Sequence, residues 1–107
     1  MESLGVVKHI FLAKFKADIT PERIEEFIKT FGNLVTVIEP FKSLQWGEDI
    51  SIENQQQGFT HVFECTFDNV EGLDAYLAHP AHVEFANQIL PAVEKYIVID
   101  YKPMRFV

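Results

Sequence analysis

With 107 residues, 48% of them hydrophobic and 23% charged, the chain has room for one domain around one core and is too apolar to remain disordered. A formal net charge of -7 excludes nucleic-acid backbones and anionic membrane surfaces as natural partners, because both are read by clustered Lys and Arg. One cysteine, Cys65, excludes an internal disulfide and argues against a thiolate metal site, which fits a reducing compartment.

Met1 to Gly5 carries neither the basic nor the apolar part of a secretory signal, and no run of about 18 apolar residues occurs, so a cytoplasmic location is expected. Val6 to Lys16 alternates with period two. Val7, His9, Phe11, Ala13 and Phe15 share one face, and Lys8, Ile10, Leu12 and Lys14 the other. Both faces have apolar centres, which predicts a strand covered on each side. Thr20, Pro21 and Glu22 then form a helix start: a capping hydroxyl, a proline at the first helical position and a carboxylate at the positive end of the dipole. Ile24, Phe27, Ile28, Phe31, Leu34, Val35 and Ile38 recur at helical spacing, so this helix lays one apolar stripe on the sheet. Pro40 ends it, leaving the last carbonyls near Val35 to Phe41 without helical partners.

Ser43 to Glu48 reads as a short strand carrying Leu44 and Trp46, and the polar stretch from Gly47 to Gly58 as a loop. Phe59 to Phe67 is the third predicted strand, with His61, Phe63, Cys65 and Phe67 on one face; among such neighbours Cys65 is a core residue. Asp68 or Asn69 caps a helix over Val70 to Ala78 whose inner side carries Leu73, Tyr76 and Leu77. Pro80 pushes His79 out of helical geometry and suits the start of a further helix, with a stripe of His82, Phe85, Ala86, Ile89 and Val93 and a bend at Pro91. Tyr96 to Tyr101 is the last predicted strand.

The order β-α-β-β-α-α-β is that of an α+β, ferredoxin-like fold: a four-stranded antiparallel sheet with its helices on one face, here one domain over residues 1–107. Ile10, Leu12, Val62, Ile97 and Ile99 then point away from the helices. A second copy of the chain is the expected cover, giving a homodimer in which two sheets close a shared barrel.

His9, His61, Tyr76 and His82 are all assigned by parity and spacing to the layer between sheet and helices. Each buried ring nitrogen lacking a partner costs roughly 1 to 3 kcal/mol, so several together imply mutual bonds, water or a ligand. Zinc is poorly served by His79 and His82 alone, since a catalytic site needs three converging ligands. No Gly-rich phosphate loop or Ser, His and Asp arrangement is readable from spacing. Neutral His82 is suited to accept a proton and Tyr76 to donate a hydrogen bond to an oxygen gaining charge, which is equipment for enolisation.

Val7-Lys8-His9, Asn33-Leu34-Val35, Trp46-Gly47, Gly58-Phe59-Thr60-His61, His79-Pro80-Ala81-His82 and Ile99-Asp100-Tyr101 give the chain a family resemblance along nearly its whole length. It resembles the plant stress-responsive dimeric α+β barrel proteins, the Dabb domains. The resemblance implies a heat-stable stress or defence protein of antifungal type, homodimeric and with an apolar small-molecule pocket. Its alternative implication is a cofactor-free polyketide cyclase that folds a linear poly-β-keto-CoA by intramolecular aldol condensation. In that case Tyr76 and His82 correspond to the proton-transfer pair and His9 and His61 to further pocket histidines, with Phe27, Phe31 and Phe63 as candidate lining. The cyclase type carries an aromatic residue where Ile28 stands and a tyrosine where Phe31 stands, so pocket shape and one hydroxyl differ here. The resemblance also implies a structural magnesium ion on the main-chain carbonyls of Val35, Ile38 and Phe41, with no cofactor required for chemistry.

Overall fold

Period-two alternation carries straight through to the backbone. In the computed structural model, which describes residues Met1–Val107, strand β2 (Val7–Phe15) alternates buried and half-buried residues along its whole length. A two-residue strand β1 (Glu2–Ser3) precedes it, and α1 (Pro21–Val37), β3 (Ser43–Glu48), β4 (His61–Phe67), α2 (Val70–Ala78), α3 (Pro80–Ile89), β5 (Val93–Tyr101) and β6 (Met104–Arg105) follow. The main sheet is antiparallel with order β3-β4-β2-β5, the ferredoxin-like arrangement expected. A ribbon of β1 with β6 is an addition that two-residue strands leave no periodicity to announce.

Helix α1 begins as its sequence dictates. The Thr20 hydroxyl accepts the Arg23 N–H at 3.1 Å, and Pro21 occupies the first turn, where a missing donor costs nothing. Its stripe buries Phe27, Phe31 and Leu34, with Ile24, Ile28 and Val35 half-buried beside them. Phe31 is the hub: its ring lies 5.1 Å from Phe63 of β4, 4.9 Å from Phe85 of α3 and 6.2 Å from Phe41. Burial of each such side chain contributes roughly 1.5–3 kcal/mol.

Two boundaries differ from the sequence reading by more than one residue. β4 starts at His61 rather than Phe59, because the Phe59 N–H turns back to the Gln56 carbonyl. Val93 does not extend the α3 stripe: Leu90–Ala92 make a 3-10 turn at Pro91, and Val93 opens β5 opposite Phe15. Leu77, on the inner side of α2 as expected, is 37% exposed. The sheet face turned from the helices is open, with Val62, Ile97 and Ile99 exposed and Ile10 and Leu12 half-buried.

Because Phe31 joins three elements, Phe31→Ala is expected to destabilise the fold by about 3–5 kcal/mol in urea unfolding, the range for a truncated core aromatic.

Candidate functional site

The site is set by one break in the chain. His79 is extended (φ -67°, ψ 134°) and serves both helices: its N–H bonds the Tyr76 carbonyl at 3.1 Å, closing α2, and its ring Nδ1 accepts the Ala81 N–H at 3.0 Å, capping α3. This leaves Tyr76 in the last turn of α2 and His82 in the first turn of α3, with ring centroids 4.4 Å apart. From the sheet, His9 approaches Tyr76 edge-on at 5.9 Å.

These rings border a cavity of about 210 Å³ between the helices and the β2–β5 edge, walled chiefly by Phe11, Phe31, Phe85, Ile89 and Val98. Leu77 also borders it, which accounts for its exposure. Asp100 is a further member. It pairs with His9 across the β2–β5 ladder, and its Oδ1 lies 2.5 Å from His9 Nδ1.

The hydrogen bonds fix the histidine tautomers. A carbonyl oxygen only accepts, so the 3.1 Å contact between His82 Nδ1 and the Leu77 carbonyl puts the proton on Nδ1 and leaves the neutral ring's lone pair on Nε2. His9 likewise donates Nδ1–H to Asp100. Burial lowers the His82 pKa, the Leu77 carbonyl partly offsets this, and His9 lowers it further, so the neutral base is the favoured form. Burial pushes the Tyr76 hydroxyl far up, keeping it a proton-bearing donor. Burial also raises the Cys65 thiol, which suits a packed core group.

A family model of the stress responsive A/B barrel domain, Dabb, matches residues 7–103. The chain belongs to this family. It is 56% identical over 102 residues to the stress-response A/B barrel domain-containing protein HS1 of Arabidopsis thaliana, covering 95% of this chain and 94% of that protein. It is 42% identical over 99 residues to olivetolic acid cyclase of Cannabis sativa, covering 92% and 98%. Among solved structures, a hydroxynitrile lyase from Passiflora edulis superposes with a TM-score of 0.91 at 31% identity, covering 95% of this chain and 96% of that one.

Not every residue proposed from sequence reaches this Dabb cavity. His9, Phe31, Tyr76 and His82 border it; His61, Phe27 and Phe63 do not. His61 pairs with Ala13, four residues along β2 from His9, and packs between Phe15 and Trp46. Phe27 stacks on Phe15 with Arg23 over its ring, and Phe63 is sealed under Phe31. The three share the face of the site residues but lie at another depth or further along the sheet.

The Ile38 carbonyl accepts the Phe41 N–H at 3.0 Å, so it is not the orphan that Pro40 predicted. The Val35 and Phe41 carbonyls take no backbone bond in this turn; Val35 stands in the last turn of α1, at its negative end, and Phe41 beyond the cap. Main-chain carbonyls are hard oxygen donors, the kind of ligand that magnesium and calcium take. No helix is long and apolar enough to cross a membrane.

His82 and His61 both have pKa values held below the ordinary 6.5, by burial above all. The unfolded chain therefore binds their protons first, and the stability they confer is complete above that value and lost as the pH falls toward the lowered folded values. Thermal unfolding between about pH 8 and pH 5 is expected to give a Tm that falls below about pH 6.5, and a shallower fall for His82→Gln combined with His61→Gln.

Proposed function

We propose that this Dabb protein is a cytoplasmic homodimer of the stress and defence type, in which the cavity binds a small apolar carbonyl compound and Tyr76 with His82 acts on it by acid-base chemistry. The observation that carries this reading is the His82 tautomer: a neutral imidazole with its lone pair on Nε2, its ring 4.4 Å from that of a buried phenol at an apolar cavity. A cavity of about 210 Å³ lies below the several hundred Å³ usual for drug-sized ligands, so the guest is small or enters only in part.

Applied to a linear poly-β-keto-CoA, the chemistry balances without a cofactor. His82 Nε2 takes a proton from a carbon flanked by two carbonyls, and the electron pair moves to a carbonyl oxygen that accepts the Tyr76 hydrogen bond. The enolate carbon attacks a distal carbonyl carbon of the same chain, and the resulting alkoxide recovers the proton from His82. His9, oriented by Asp100, positions a substrate oxygen or a water. Relatives named as a cyclase and as a lyase support this reading. The 56% identity to HS1, a protein named for stress response, supports a second reading: a stress-response protein that holds a guest without turning it over, with the antifungal defence role that the family resemblance implies.

The purified protein, supplied with poly-β-keto-CoA by a type III polyketide synthase, is expected to change the product profile, with His82→Ala and Tyr76→Phe each lowering the cyclised product by about 10² to 10⁴. Profiles equal to a no-protein control overturn the cyclase reading and leave the defence reading.

Two further parts of the proposal have their own tests. The exposed outer face supports a homodimer. Light scattering is expected to give twice the 12.3 kDa chain mass for wild type and the single mass for Ile97→Lys combined with Ile99→Lys. The carbonyls of Val35, Ile38 and Phe41 would hold magnesium as a structural ion, neutralising the end of α1. Millimolar magnesium added after chelation is expected to raise Tm by about 4 °C or more, the shift that 1 kcal/mol gives a small domain.

A further inference from the structure

The histidine left out of the cavity has a site of its own. His61 is 7% exposed, yet its Nε2 is buried with no hydrogen-bond partner. Unpaired buried ring nitrogens are expensive enough to require an explanation. Its other nitrogen, Nδ1, lies 2.8 Å from the Thr60 hydroxyl, while that hydroxyl is 3.3 Å from the Ala13 carbonyl, which already takes the Thr60 N–H at 2.9 Å. The shorter contact takes the hydroxyl proton, so Nδ1 accepts and Nε2 carries the hydrogen. That N–H faces Glu48 Oε1 at 3.4 Å, a loose electrostatic contact whose alignment falls short of a full hydrogen bond.

A donor and a carboxylate held just out of reach suit one group that is both acceptor and donor: a hydroxyl. The surroundings select what bears it. His61 and Glu48 stand at a groove between α1 and β3, separate in lining from the Tyr76 cavity and bordered by Pro21, Ile24, Ile28 and Trp46. The Trp46 indole, 48% exposed, lies nearly parallel to the His61 ring at 13°, offering a flat apolar face. Glu25 and Lys29 at the rim neutralise each other at 3.2 Å, so Glu48 is the one uncompensated charge of the lining and no cation there draws an anionic ligand. Glu48 has a side chain 67% exposed and no other partner, so it is free to adjust.

We infer that this groove is a second binding site, taking a neutral phenol whose ring stacks on Trp46 and whose hydroxyl accepts from His61 Nε2–H and donates to Glu48. The site stands on the α1–β3 side of the sheet and does not depend on the reaction proposed for the Tyr76 cavity.

Trp46 is the single tryptophan, so its fluorescence reports this groove alone. Titration with para-propylphenol is expected to quench it saturably, and the methyl ether of the same compound, which cannot donate, to bind at least about tenfold more weakly, the loss for a hydrogen bond to a charged group. Glu48→Gln, at an exposed position that leaves folding intact, is expected to weaken the phenol about tenfold, while Tyr76→Phe leaves the curve unchanged. Absence of saturable quenching, equal affinity for phenol and ether, or a curve moved by Tyr76→Phe and not by Glu48→Gln would overturn the assignment.

Discussion

One absent hydrogen organises the chemistry of this molecule. Pro80 has no N–H to donate and forces His79 out of helical geometry, so α2 and α3 meet at a corner instead of running on as one helix. In an unbroken helix Tyr76 and His82, six residues apart, would stand roughly 120° apart around the axis and about 9 Å apart along it, too far for their rings to meet. The corner brings their rings to 4.4 Å. His79 makes the corner tolerable by satisfying a backbone group on each side of it, which explains a histidine there without asking it for catalysis or metal binding.

The sheet supplies the other half of the arrangement. The β2–β5 register sets His9 opposite Asp100, and a carboxylate bonded to Nδ1 turns the other edge of that ring outward from the pair. Around these polar groups stands an aromatic core in which Phe31, Phe41, Phe67 and Phe85 hold Tyr76 and the helices in place. Position and protonation have the same cause: the burial that fixes these side chains keeps His82 neutral and the Tyr76 hydroxyl protonated.

Much of this was legible in the residues because period-two and period-3.6 patterns report faces. Parity placed His9, Phe11, Phe63 and Cys65 toward the helices, and the spacing of α1 placed Phe31 against them. Parity says nothing of position along a strand. His61 obeys the same rule as His9, yet the ladder sets it four residues away, about 13 Å at strand spacing, in different company. Asp100 falls outside the sequence-derived site although its signal is present: a carboxylate closing the apolar run Tyr96–Ile99, two residues from Val98 and four from Tyr96, on the face of both. The spacing of Val93 from Ile89 suits a helix, and only the structure gives it to β5. The 3-10 turn at Pro91 is a tertiary outcome, tied by the Lys16 N–H to the Ala92 carbonyl.

The main sheet divides its labour by odd and even. Along β2 the odd-numbered residues meet the helices and the cavity, while Lys8, Ile10, Leu12 and Lys14 look the other way, where Lys8 pairs with Glu64 and Lys14 with Glu94. A backbone one residue thick thus keeps two vocabularies apart. Drift among the even positions can revise whom the protein associates with, and drift among the odd ones what it holds, with neither history written over the other.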